Sequence, residues 1–197
     1  MDLNSKYPAI SDLRTKARKR IPHFAWEYLD SATGDESTLH RNRSSLDAIH
    51  FVPRGLRGEI KPQLATEFLG RSYSAPFGIA PVGMSGLMWP GAEKALAGFA
   101  AGAKIPYGMS TVATTTPEDV APHLGDMGWF QMYPPRDEAI RNDMIQRVKD
   151  AGFTTLVVTI DVPAQSRRER QIRGGLVQPP RLTPRILAQV AGCPEWA

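Results

Sequence analysis

From Phe77 to Pro163 the chain repeats one rhythm: a short apolar run, a polar break, then a helical segment. The runs are Phe77 to Ala80, Pro106 to Ser110, Trp129 to Tyr133 and the stretch that begins at Thr155. Between them lie a small-residue helix from about Gly91 to Ala103, a helix opened by Thr116-Pro117-Glu118, and a third from Asp137 to Ala151. Thr116 suits a cap with Pro117 in the first turn. Ile140, Met144, Ile145 and Val148 share the inner face of the third helix, which Gly152 stops. Four strands alternating with three helices predict right-handed βαβ units and a parallel sheet. The run Thr155 to Val158 is continuously aliphatic and β-branched, the pattern of a strand buried on both faces.

No G-x-G-x-x-G follows the first strand, which disfavours a dinucleotide-type doubly wound sheet. The remaining parallel α/β choice is a (β/α)8 barrel, the TIM barrel, which takes roughly 250 residues. Only four strands are visible in 197 residues, and Arg, Gln, Gly and Pro dominate after Pro163. The expectation is one domain that stops part-way. Residues 1–75 would form a helical cap and short hairpin, 76–163 the first half of the barrel, and 164–197 a lid loop. Within the cap, Ser11 suits the start of a helix ended by Ile21-Pro22. Further helices follow from Pro22 to about Asp30 and from Asp35 to His50. Short strands flank Gly70-Arg71.

Twenty-four basic against twenty acidic residues leave a net charge of +4. The basic residues are interspersed with acidic ones and accompany no nucleic-acid motif, so a solvated surface with a site for small anions is preferred. The single cysteine, Cys193, allows no internal disulfide and no cysteine zinc cluster, and no metal is expected. A reducing compartment fits. No apolar run approaches the ~20 residues of a membrane span, and the N-terminus lacks the apolar core of a secretory signal. Lys6 to Arg20 is basic enough to raise a transit peptide, but Asp12 within it disfavours that reading.

Each strand ends in polar or turn-forming groups. The first gives Pro81-Val82-Gly83, the second Ser110 and Thr111, the third Gln131 and Tyr133, the fourth Thr159 and Asp161. In a barrel these ends share one face. Ser, Gln and Thr together match the amide-like edge of a heterocycle. Tyr133 and Arg168 can hold a small carboxylate, the arginine by a charge-assisted fork. Singly, each has a plainer role: Ser110 and Thr159 as loop caps, Gln131 as a backbone partner, Tyr28 as a packing aromatic, Arg168 as a surface charge.

A set of segments in fixed order then carries a resemblance. They are F-A-W-E-Y-L-D-S-A around Tyr28, T-L-H-R-N-R from Thr38, I-A-P-V-G from Ile79 and M-S-T-V-A-T from Met109. W-F-Q-M-Y from Trp129, V-T-I-D-V-P from Val158 and R-R-E-R from Arg167 complete it. Together they resemble the N-terminal half of the FMN-dependent α-hydroxy-acid oxidase and dehydrogenase family, which includes glycolate oxidase, L-lactate dehydrogenase and mandelate dehydrogenase. The resemblance implies FMN as cofactor, a small (S)-2-hydroxy acid as substrate, and a quinone, carrier protein or oxygen as electron acceptor. It also implies a homo-oligomer at full length and a cytoplasmic protein, free or attached to the cytoplasmic face of a membrane. Pro81, Val82 and Gly83 would form a backbone wall against the flavin, with Ser110, Gln131 and Thr159 on its polar edges. Tyr28 would bind the substrate carboxylate, Tyr133 would contact its hydroxyl, Arg168 would sit close to the substrate as a second cationic group, and Asp161 would orient a catalytic histidine.

The family's histidine, the adjacent carboxylate-binding arginine, the flavin-edge lysine and the phosphate-binding loops belong to its later half, and none of His23, His40, His50 or His123 follows the fourth strand. The chain alone is therefore expected to be inactive. Val112 stands where glycolate oxidases carry a tryptophan. Gly83 and the G-L-M-W-P-G-A-E after it are closer to the lactate and mandelate dehydrogenase branch, in which electrons leave to a quinone or carrier. Ala164, after the proline of V-T-I-D-V-P, has no clear consequence. The competing reading is a half-barrel remnant or binding module without catalysis. A further one, another barrel for flavin or phosphorylated ligands, does not account for Tyr28, Tyr133 and Arg168 together.

Overall fold

The computed structural model describes residues 2–161, 164, 166–177 and 181–197. They group into two compact units, Met1–Arg54 with Gln165–Ala197, and Gly55–Ala164. The first unit opens with helices α1 (Leu3–Lys6), α2 (Ile10–Arg20), α3 (His23–Asp30) and α4 (Ser37–Asp47). Helix α2 starts before the expected cap. Asp12 reaches back to accept from the Ala9 N–H at 3.0 Å, so Ser11 falls inside the first turn. Ile21, in extended conformation before Pro22, ends it.

The second unit begins with a hairpin, β1 (Thr66–Phe68) and β2 (Arg71–Tyr73), antiparallel with Phe68 opposite Arg71. Its two-residue turn holds Leu69 and Gly70 at φ 51° and 73°, the left-handed pair that matches strand twist. Then come α5 (Ser85–Met88), α6 (Ala92–Ala103), β3 (Tyr107–Ser110), α7 (Pro117–Leu124), β4 (Gly128–Met132), α8 (Glu138–Asp150) and β5 (Thr155–Val158). The strands form a parallel sheet in the order β3-β4-β5. Thr116 caps α7 and Asp137 caps α8, as the sequence predicts for Thr116.

The strand expected at Phe77 to Ala80 shrinks to one parallel bridge, Ile79 opposite Tyr107. Ile79 N–H donates to the Pro106 carbonyl and Gly108 N–H to the Ile79 carbonyl, both at 2.8 Å. Pro76 and Pro81 bracket this run and carry no N–H, so the ladder has little room to extend. A Cβ on Gly108 would lie 2.8 Å from Pro81 Cδ, so only glycine lets the two segments approach this closely.

Side chains alternate across the sheet. Tyr107, Met109, Phe130 and Met132 pack with Ala97 and Ala100 of α6, Val120 and Leu124 of α7, and Val148 of α8. The alanines of α6 let that helix lie close. Strand β5 departs from the expectation of burial on both faces. Leu156 and Val158 pair with Phe130 and Met132 yet stay 41% and 44% exposed, because β5 ends the described sheet. Its composition suits a central strand; its place among the described residues is an edge.

Burial and the nearby Glu93 carboxylate push the Tyr107 hydroxyl up to about 12 from its ordinary 10.0. The unfolded chain therefore loses this proton first as pH rises. Denaturant titrations are expected to show stability that is full below pH 10 and declines between about pH 10 and 12. A Tyr107→Phe variant should flatten that decline, and an unchanged alkaline profile would refute the assignment.

The segment expected as a lid loop holds two helices, α9 (Glu169–Gly174) and α10 (Pro184–Ala191). Thr183 caps α10, accepting from the Ile186 N–H, with Pro184 in the first turn. Both pack on α3. The Phe24 and Trp196 rings meet edge-on at 5.8 Å, and Phe24 N–H donates to Gln189 Oε1 at 2.7 Å. A Cβ on Gly174 would come within 3.2 Å of Glu27 Cβ, a measure of how closely α9 lies on α3. Among the described residues no helix is long and apolar enough to cross a membrane.

Candidate active site

At the carboxyl ends of the sheet three polar side chains form one hydrogen-bonded row. Ser110, the last residue of β3, donates through Oγ to Gln131 Oε1 at 3.1 Å. Gln131 Nε2 donates to Thr159 Oγ1 at 2.8 Å, just beyond β5. The register that sets Ser110 opposite Gln131 produces this alignment. Ser110 and Gln131 are each only 5% exposed. Buried amide and hydroxyl groups at strand ends need partners, and here they find them in one another. Thr111 adds a second stitch: its hydroxyl donates to the Gln131 carbonyl at 2.5 Å and accepts from the Tyr133 N–H at 3.1 Å. That fixes the backbone from which Tyr133, 43% exposed, projects.

The loops above these strands are tied down by Glu93, in the first turn of α6 and 1% exposed. Its Oε1 accepts from Gly86 N–H at 2.8 Å, Thr114 N–H at 3.1 Å and Thr114 Oγ1 at 2.9 Å. Burial opposes its charge, but the Thr114 and Gly86 donors outweigh burial and hold the carboxyl below its ordinary range. Met84 N–H donates to the Val112 carbonyl at 2.8 Å. The turn after Pro81-Val82-Gly83 and the loop after β3 are thus joined by one carboxylate and one backbone bond. A larger apolar cavity of about 430 Å³, lined by Phe68, Tyr73, Phe77, Pro106 and Trp129 among others, opens toward the hairpin. Its lining offers little that could carry chemistry.

In the other unit, the Arg168 guanidinium stands 5.8 Å from the centre of the Tyr28 ring. Tyr28 lies on α3, and Arg168 is the residue that opens α9. Two residues further on, Arg170 gathers three carboxylates: Glu27 at 2.7 Å, Asp30 at 2.9 Å and Glu36 at 3.0 Å. Arg14 makes a second pair with Asp30. Glu27 first, then Asp30, raise the Arg170 guanidinium above its ordinary range. Burial opposes the charge on Asp30, but Arg170 and Arg14 hold its carboxyl low.

Asp161 is exposed beyond β5, and Val162 and Pro163 of its motif lie outside the described residues. His23 lies on α3, His40 on α4, His50 after α4 and His123 on α7, none of them at a strand end. Among the described residues no cluster of three or more His, Cys, Asp or Glu side chains is arranged to hold a metal ion.

Residues 17–197 match the family described as FMN-dependent dehydrogenase. The chain belongs to that family. Similar family members include the L-lactate dehydrogenase of Xanthomonas campestris pv. campestris, 37% identical over 96% of this chain and 49% of that protein. The L-lactate dehydrogenase of Ectopseudomonas mendocina is 35% identical over 96% of this chain and 50% of its own length. Among solved structures, the monotopic membrane protein (S)-mandelate dehydrogenase superposes with TM-score 0.86 at 32% identity, covering 95% of this chain and 50% of that one. A mandelate oxidase gives 0.81 at 33%, covering 91% and 51%. The chain thus spans about half the length of these relatives, and its α/β fold is part of their (β/α)8 barrel.

Within the family framework, the structure joins Ser110, Gln131 and Thr159 in one unit and Tyr28 with Arg168 in the other. Sequence reasoning missed Glu93 and Arg170. The signal for Glu93 was present: a carboxylate in the first turn of a helix otherwise made largely of alanine and glycine. Arg170 sits inside R-R-E-R, where three neighbouring charges masked which one turns inward.

Proposed function

We propose that this chain supplies the flavin-holding strand ends and the carboxylate-binding pair of an enzyme that oxidises a small (S)-2-hydroxy acid, lactate- or mandelate-like, to the 2-oxo acid. The row Ser110–Gln131–Thr159, buried at Ser110 and Gln131, carries this reading. Its alternating hydroxyl and amide groups suit the donor and acceptor pattern of a flavin's polar edge. The backbone of Pro81, Val82 and Gly83 would face the ring. FMN, when bound, takes up the two electrons removed from the substrate. The chain's own residues bind and orient. Arg168 and the Tyr28 hydroxyl hold the carboxylate, which fixes the carbon to be oxidised. The Tyr133 hydroxyl contacts the substrate hydroxyl. Asp161 orients the proton-abstracting base and stabilises its charged form. On this reading both units belong to one FMN hydroxy-acid dehydrogenase domain, homo-oligomeric in its complete form, which passes electrons to a quinone, a carrier protein or oxygen.

A cytoplasmic location, with attachment to the inner face of a membrane, is part of the proposal. A monotopic relative supports it, as do Ile172, Val177, Leu182 and Leu187, all exposed within 165–197 among Arg173, Arg181 and Arg185. The test is turnover of L-lactate and (S)-mandelate by the complete gene product. Tyr28→Phe and Arg168→Met should each raise KM by about tenfold or more while FMN stays bound. The 197 residues expressed alone should show neither turnover nor tight FMN. Unchanged KM in both variants would remove Tyr28 and Arg168 from the carboxylate site, and no turnover of either acid by the complete gene product would favour a binding module without catalysis.

A further inference from the structure

Arg170 bonds three carboxylates and a backbone carbonyl. Its Nε meets Glu27, Nη2 meets Asp30, and Nη1 meets Glu36 and, at 3.4 Å, the Asp30 carbonyl. Glu27 and Asp30 flank Tyr28 on α3, one residue before it and two after. Arg170 itself lies two residues beyond Arg168. The Gly34 N–H donates to the Arg167 carbonyl at 3.1 Å, which fastens the same strip of backbone from the other side. Gly174 lets α9 lie against Glu27 and Phe24. The bonds to Glu27 and Asp30 fix the start of α9 against the second half of α3, and those to Glu36 and Gly34 fix it against the loop that follows α3.

We propose that Arg170 is a positioning residue for substrate binding: by clamping Glu27, Asp30 and Glu36 it holds the Arg168 guanidinium beside the Tyr28 ring, so that the two present a preformed site to a carboxylate. The inference rests on the function proposed above. A salt bridge that served only to hold the fold would lower FMN content, kcat and thermal stability together. A clamp that acts through Arg168 has a narrower signature. It acts on the affinity for a carboxylate, and its effect vanishes once Arg168 is gone.

The experiment is a double-mutant cycle in the complete gene product loaded with FMN, with L-lactate and (S)-mandelate as substrates. Arg170→Gln is expected to raise KM about tenfold, with kcat within about threefold of wild type and FMN content unchanged. In an Arg168→Met background the same change should raise KM less than about twofold. Arg170→Lys keeps the charge and part of the clamp and should fall between. An equal loss in both backgrounds, or a fall in kcat in step with FMN content, overturns the positioning role while leaving the proposed function intact. A wild-type protein that oxidises neither acid overturns the proposed function, and this inference with it.

Discussion

Replacing Glu93 with alanine is expected to destabilise the Gly55–Ala164 unit by about 3–5 kcal/mol, a large part of the ~5–15 kcal/mol that holds an ordinary domain folded. The change leaves the Gly86 and Thr114 N–H groups and the Thr114 hydroxyl facing a buried space with no acceptor. Each unsatisfied donor costs about 1–3 kcal/mol. The neighbourhood cannot close over the gap easily, since even a methyl on Gly86 would come within 1.9 Å of Thr114 Oγ1. Urea titration with a probe in that unit, such as Trp129, measures the loss; one below about 1 kcal/mol would show that Glu93 is not the tie described here. Glu93→Gln keeps an acceptor oxygen and should lose far less. The sign with pH follows from the depressed carboxyl. The charged form contributes stability above the ordinary value of 4.5, and that contribution is lost as pH falls through the lower folded value. The glutamine variant should therefore show a shallower acid limb than wild type.

The second large effect is expected at Gln131. Leucine has nearly the same volume and no polar atoms, so Gln131→Leu should keep β4 in the sheet while removing the centre of the strand-end row. Ser110 Oγ loses its acceptor and Thr159 Oγ1 its donor. Two hydrogen bonds to a flavin edge, at about 0.5–1.5 kcal/mol each, correspond to roughly tenfold to hundredfold weaker FMN binding. The ratio of flavin absorbance to protein in the purified complete gene product reports it directly. A leucine variant that retains wild-type flavin would remove Gln131 from the cofactor site.

The sequence carried most of the strand and helix order because local signals agreed with tertiary demands. Thr116-Pro117 and Asp137 start helices where their side chains can reach free N–H groups. The placing of Ser110, Gln131 and Thr159 at the strand ends was legible because a polar residue at the end of an apolar strand has few places to be. The misses arise where a distant partner decides. Ser11 is as good a cap as Asp12 is an N3 acceptor, and only the Ala9 backbone discriminates between them. The run at Phe77 looked like a strand, but prolines on either side leave it one bridge. Helix α10 escaped notice among Arg and Pro residues although Thr183-Pro184 marks its start. Arg170 was invisible because its three carboxylates come from 134 to 143 residues earlier by the geometry of α3 and the loop after it, which no local pattern records; the pair with Glu36 alone spans 134 residues.

That separation also sets an order in time. Helices α1 to α4 leave the ribosome before α9 and α10: Arg170 follows Glu36 by 134 residues and Gln189 follows Phe24 by 165. At about 5–20 residues per second, synthesis of the intervening chain takes roughly 7 to 33 seconds. Meanwhile Gly55–Ala164, whose partners are close in sequence, can collapse as it emerges. The unit formed by the two flanking segments is therefore completed only after Gly55–Ala164 has been made, and during that wait Glu27, Asp30 and Glu36 stand as an acidic cluster without Arg170, open to a chaperone or a protease.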